Sequence, residues 1–237
     1  MAGRGEGTGI KDAAVVERIG PYMLRQAGHG LRITQDPFLL VDFALPLSEN
    51  ERVLDIGTGS GVIPLLLIAK TRVLDVTAVE IDDALAGLAR ANVQDNSLGD
   101  RIKVVASDYR GLPEIFPKGS FTTIITNPPY IKANSGRTSP QKSRALARLE
   151  LHGELKDLVQ VSAHLLCDAG RLFLILPTAR REELVELLRG VGLSLRRIRF
   201  IHTKFGAPAK LFMAEAIKGT ADTAQVVAEE PVYLSKP

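Results

Sequence analysis

From Arg52 onward, short β-branched or apolar runs alternate with segments whose apolar residues recur at helical spacing. The pattern predicts strands over 52–56, 75–80, 102–106, 121–126, 171–176, 195–201 and 211–217, and helices over 61–70, 83–96, 155–167 and 181–191. Strands separated by helices belong to a parallel sheet covered on both faces. The last two strands have only 202–210, with Gly206 and Pro208, between them. That linker is too short for a parallel crossover and predicts an antiparallel hairpin. The expected fold class is therefore α/β: seven strands, a mostly parallel Rossmann-like sheet, and an antiparallel terminal hairpin.

Three segments divide the chain. Residues 1–27 read as a leader, with a glycine-rich, disordered start and a helical spacing of Val15, Val16, Ile19 and Leu24 broken by Gly20-Pro21. Residues 28–218 form the one expected domain, and 219–237 a loosely held tail.

Composition narrows the class. With 45% hydrophobic and 24% charged residues over 237 positions, the chain suits one globular domain with a buried core. A single cysteine excludes a disulfide framework; Cys167 is expected as a buried thiol at a helix end, in a reducing compartment. The longest apolar run, Val62 to Ala69, is too short to span a bilayer, and the first residues lack the apolar core of a signal peptide. A cytoplasmic protein without a membrane partner is expected. A net charge of +3 and a pI near 9.0 are compatible with a polyanionic partner. The histidines, His29, His152, His164 and His202, lack ligand spacing, so no metal is expected.

The candidate chemistry starts at Val53-Leu54-Asp55-Ile56-Gly57-Thr58-Gly59-Ser60-Gly61, a buried strand entering a glycine-rich turn before a helix. Such a turn lets backbone approach a ligand closely. Glycines at 57, 59 and 61, with Val62 next, do not fit the G-x-G-x-x-G dinucleotide fingerprint. A nucleoside with a zwitterionic amino-acid tail fits better: its ammonium suits Asp55, and its carboxylate suits backbone N–H groups. Glu80 ends the second strand, where a carboxylate accepts hydrogen bonds from a ribose diol. Asp108, in Ser107-Asp108-Tyr109, ends the third and is placed to accept from a base amino group. The fourth strand ends in Asn127-Pro128-Pro129-Tyr130. The prolines fix the backbone at this strand end, and Tyr130 offers a stacking face. Beyond it, 132–148 is long for a strand-to-helix connection and carries Lys132, Arg137, Lys142, Arg144 and Arg148, suited to phosphates flanking a flipped base.

DIGTGSG, VEID and SDY at these spacings resemble the cofactor motifs of class I methyltransferases, and NPPY resembles the amino-methyltransferases of adenine N6, guanine N2 or a glutamine amide. Over residues 28 to 218 the chain is similar to the bacterial tRNA1(Val) adenine-N6-methyltransferases, in Leu31-Arg32-Ile33-Thr34-Gln35-Asp36, in GSGVIPLLLIAKT and in the loop after NPPY. There Arg137 and Ala147-Arg148-Leu149-Glu150 follow the family pattern, with leucine where histidine is usual. The resemblance implies S-adenosylmethionine bound by Asp55, Gly57, Thr58, Gly59, Gly61, Glu80, Ile81, Asp108, Tyr109 and Asn127. It also implies catalysis at Asn127, Pro128, Pro129 and Tyr130: the nitrogen of an amide or exocyclic amine attacks poorly unless its hydrogens are held and its developing charge is stabilised, and the Asn127 side-chain oxygen and the Pro128 carbonyl are each expected to accept one of those hydrogens. It implies as well tRNA held by Tyr130, Arg137, Lys142, Arg144 and Arg148. The alternatives are a release-factor glutamine N5-methyltransferase, which normally has a helical domain before the fold, and an rRNA guanine N2-methyltransferase. A catalytically silent RNA-binding module is the non-enzymatic alternative, and it would be expected to have lost Asn127 or Asp55.

Overall fold

The computed structural model describes residues 15–26, 34–128, 155–219 and 225–235. A hairpin of β1 (Val15–Ile19) and β2 (Tyr22–Gln26) comes first, then α1 (Asp36–Ala44), β3 (Arg52–Ile56), α2 (Val62–Lys70), β4 (Asp75–Glu80), α3 (Asp83–Asp95) and β5 (Ile102–Ala106). There follow α4 (Leu112–Ile115), β6 (Phe121–Thr126), α5 (Leu155–Leu165), β7 (Leu166–Pro177), α6 (Arg181–Gly190), β8 (Leu193–His202) and β9 (Ala209–Lys218). Two short strands, β10 (Val227–Ala228) and β11 (Val232–Tyr233), complete the described chain.

The nine-stranded main sheet runs β10-β8-β9-β7-β6-β3-β4-β5, with β11 also on β8. All pairings are parallel except those of β9, which is antiparallel to both β7 and β8. One apolar cluster lies against α1, α2 and the hairpin residues Ile19 and Leu24. The other gathers Leu112, Leu158, Val159, Leu184 and Leu188 from α4, α5 and α6. In α2 every residue from Val62 to Ile68 is buried, which suits a helix enclosed between the sheet and the hairpin. None of the described helices is long and apolar enough to cross a membrane.

The seven expected strands are all present, the first four to the residue and the last three longer at both ends. Three expectations fail. Residues 15–26 are an antiparallel hairpin, not a helix: Gly20 takes a φ of +57° at the turn, and alternation rather than helical spacing buries Ile19, Leu24 and Gln26. Cys167 is half-buried in a strand, not buried at a helix end. The helix stops at Leu165 because Leu166 pairs with Phe121 and the His164 carbonyl accepts the Gly119 N–H. The following irregularity is tight, since a Cβ at Gly170 would lie 2.8 Å from the Cys167 carbonyl oxygen. The expected loose tail instead supplies β10 and β11 to the outer edge of β8. Residues 1–14, including the stretch expected to be disordered, lie outside the described residues.

Candidate active site

Strand register assembles the site. Ile56 pairs with Val79 on one side and Thr126 on the other, so Gly57 is flanked by Glu80 and Asn127. Glu80 pairs with Ala106, two residues before Asp108. Asp55, Glu80, Asp108 and Asn127 thus lie at the carboxyl ends of four neighbouring strands. The chain reverses its direction of winding between β3 and β6, the switch point where open α/β sheets bind ligands.

The glycine turn requires its glycines. Gly57, Gly59 and Gly61 have φ of +78°, +59° and +89°, the left-handed region that side chains disfavour. The Gly57 and Thr58 N–H groups both donate to the Val79 carbonyl at 2.9 Å, which ties the turn across β4. Gly61 caps α2, and the Ser60 carbonyl accepts from Asn92 Nδ2 at 2.8 Å. Asn92 is fully buried on α3, and it also exchanges two hydrogen bonds with the Arg25 backbone, at 2.8 and 2.9 Å. One side chain therefore joins the N-terminal hairpin to the glycine turn. Sequence reasoning missed it; two asparagines four residues apart in a helix, Asn92 and Asn96, were the available signal.

Asp55 has no solvent exposure, and neither of its carboxylate oxygens is hydrogen-bonded within the described residues; the Thr58 hydroxyl beside it is also buried without a partner. Burial pushes the Asp55 pKa up to about 7, opposed by the nearby Thr58 hydroxyl and reinforced by the Glu80 carboxylate. Glu80 is buried and occupied: Oε2 accepts the Gly59 N–H at 2.8 Å, and Oε1 accepts those of Ile81 and Asp82 at 2.9 and 3.0 Å. Of about four acceptor positions on a carboxylate, one remains open among the described residues, on Oε2.

Asp108 accepts the Arg110 N–H at 2.9 Å and is also ion-paired with the Arg110 guanidinium. Its carboxylate is therefore shared rather than open to a ligand alone. Tyr109 is half-buried; its phenol is pushed up to about 12 by burial, then by Asp157 and Asp108, with Arg110 opposing, so it stays protonated at neutral pH. Thr126 Oγ1 donates to the Ile56 carbonyl at 2.9 Å, fixing the end of β6 just before the half-buried Asn127 and Pro128. Pro129, Tyr130, Arg137, Lys142, Arg144 and Arg148 lie outside the described residues.

The chain matches known proteins in both sequence and fold. The methyltransferase small domain family matches residues 37–183. The chain is 33% identical over 179 residues to the tRNA1(Val) (adenine(37)-N6)-methyltransferase of Tolumonas auensis, covering 75% of this chain and 73% of that protein. It is 30% identical to the protein of the same name from Pedobacter heparinus, over 81% and 79% of the two chains. Among solved structures, a predicted O-methyltransferase from Agrobacterium tumefaciens superposes with a TM-score of 0.65 at 22% identity, covering 84% of this chain and 88% of that one, a likeness of fold. A family match across well over half the chain, joined to relatives at this identity over most of it, makes this protein a member of the methyltransferase small domain family.

Proposed function

We propose that the protein transfers a methyl group from S-adenosylmethionine to N6 of an adenine in tRNA, the reaction named in its relatives for adenine 37 of tRNA1(Val). The observation that carries the reading is the Asp55 carboxylate, buried at a strand end with neither oxygen hydrogen-bonded among the described residues and only the Thr58 hydroxyl nearby. A buried charge without a partner is costly, and the group suits a ligand that brings its own cation. In this reading Asp55 takes the ammonium of the amino-acid tail, Thr58 supports it, and the free position on Glu80 Oε2 accepts a ribose hydroxyl. Asp108 shares its carboxylate between Arg110 and the adenine amino group, while Ile81 and the protonated Tyr109 flank the base.

S-adenosylmethionine supplies a methyl group on an electron-poor sulfonium. The target amine is a weak nucleophile because its lone pair is delocalised into the ring. The Asn127 side-chain oxygen and the Pro128 carbonyl each accept a hydrogen bond from its N–H groups, which aims the nitrogen and stabilises the positive charge it gains as the N–C bond forms and the S–C bond breaks; a neutral thioether is left, and the surplus proton on nitrogen passes to water. Tyr130 and Pro129 hold the base by stacking and shape, and Arg137, Lys142, Arg144 and Arg148 take flanking phosphates. The test is Asn127→Ala in single-turnover assays with methyl-labelled cofactor and unmodified tRNA. With cofactor at saturation it is expected to lose at least about a hundredfold in rate, the scale of losing a transition-state hydrogen-bond acceptor. A rate near wild type would overturn the catalytic assignment. Label appearing in release factor rather than in N6-methyladenosine would overturn the substrate.

A further inference from the structure

The β8–β9 hairpin rises above the catalytic edge of the sheet. Thr126 is level with Leu174, Leu174 with Ala214 and Ala214 with Ile198, yet β8 continues four residues further, to His202. Its turn therefore stands on the same side as Asn127, three strands across from β6. In strand geometry that is ~14 Å sideways and ~13 Å outward, a span of a few nucleotides.

Three aromatic rings meet at this turn. Phe205 is 68% exposed, the most exposed of the large apolar side chains described. The Tyr233 ring lies 5.5 Å from that of Phe205 and 5.1 Å from that of His202. The tail delivers Tyr233: it pairs with His202 in β11, and the Leu234 and Ser235 N–H groups donate to the His202 and Thr203 carbonyls at 3.0 and 3.1 Å. His202 Nδ1 donates to the Ala207 carbonyl at 2.6 Å, which fixes that ring. Lys204 and Lys210 are both exposed, and neither has an ion-pair partner among the described residues. No acidic residue occurs from 187 to 214. The turn itself is already held by Gly206, with φ of +76°, and by the Ala207 N–H donating to the Lys204 carbonyl. Holding the turn therefore does not account for so exposed a phenylalanine.

We propose that Phe205 and Tyr233, backed by His202 and flanked by Lys204 and Lys210, form a stacking platform for an unpaired base of the RNA substrate beside the methylated adenine. Exposed aromatic faces between unpaired cations suit single-stranded nucleic acid, because bases stack and phosphates neutralise the lysines. The proposal rests on the tRNA reading above.

The test compares Phe205→Leu, Phe205→Trp and a Lys204→Ala/Lys210→Ala double variant in steady-state methylation of an unmodified tRNA1(Val) transcript, with melting temperature and cofactor affinity measured alongside. Phe205→Leu is expected to raise KM for RNA by at least about fivefold while kcat, cofactor affinity and melting temperature stay near wild type, and Phe205→Trp to keep the wild-type KM. The double variant is expected to flatten the salt dependence of RNA binding by up to about two units of slope. If the wild type methylates tRNA and Phe205→Leu leaves KM unchanged, or tryptophan fails as badly as leucine, the platform is overturned while the tRNA reading stands. If the wild type methylates no RNA, both fall together.

Discussion

Asp55 couples stability to function in opposite senses. Its carboxyl titrates near 7 in the folded chain against an ordinary value of 3.8, so the folded state holds the proton more tightly than the unfolded one. Its destabilising effect is therefore absent below about pH 4, grows between 4 and 7, and is complete above 7. Without cofactor, Asp55→Asn is expected to gain on the order of 2–4 kcal/mol relative to wild type between pH 4.5 and 8, as read by urea denaturation at both pH values. The same variant loses cofactor affinity. In the wild type, calorimetry should show affinity falling about tenfold per pH unit below 7, because the ammonium needs the ionised acid. A flat profile would mean that the ammonium is held elsewhere. What was legible here was position: acids at strand ends beside a glycine turn. The Arg110 grip on Asp108 and the three amides on Glu80 were not, since they depend on rotamers that no spacing encodes.

At the scale of elements, α3 acts as a side-chain substitute for a strand. Asn92 meets the Arg25 backbone with both its oxygen and its nitrogen, and Asn96 does the same for Met23 at 2.9 and 2.7 Å. Two amides one helical turn apart thereby satisfy the open edge of β2, and Asn92 extends the link to Ser60. Asn92→Ala leaves the Arg25 N–H and carbonyl and the Ser60 carbonyl, all partly buried, without this partner and is expected to lose about 1–3 kcal/mol in denaturant titration. It is also expected to weaken cofactor binding, since the glycine turn loses its tie to α3. Weakened stability with unchanged cofactor affinity would show that the turn holds its shape without Asn92. This clamp explains why the hairpin was misread. Strands of five residues do not settle the period by themselves, and the partner that settles it lies 67–73 residues away. The strands β3 to β6 were legible to the residue because each is a short run rich in β-branched and apolar residues with abrupt polar or glycine ends, a pattern that holds even for β5 at the sheet edge, where only Ile102 is buried.

Across the whole molecule, the tail closes the sheet. β10 and β11 cover the β8 edge, and Glu229 reaches back to Arg197 at 2.7 Å and to Arg199, while Arg197 also binds Glu215 and lies 4.6 Å from the Phe43 ring centre. Glu229→Ala leaves two partly buried guanidinium groups short of a carboxylate and is expected to cost about 1–3 kcal/mol, measured by thermal unfolding. No change would mean that strand pairing alone holds the tail. Strands of two residues are too short for any periodicity to register, which is why the tail read as loose. The strand order also dictates a timetable. β9 lies between β7 and β8, so β8 has no place in the sheet until its successor has been synthesised, and the pair must dock as a unit. On the ribosome, the half carrying the glycine turn and the acids finishes first, while β7 waits with an unpaired edge until residue 218 emerges. A chain cut short between the end of β7 and the start of β9 would thus have its cofactor residues in place and a sticky strand exposed, a product for chaperones and proteases rather than a weakened enzyme.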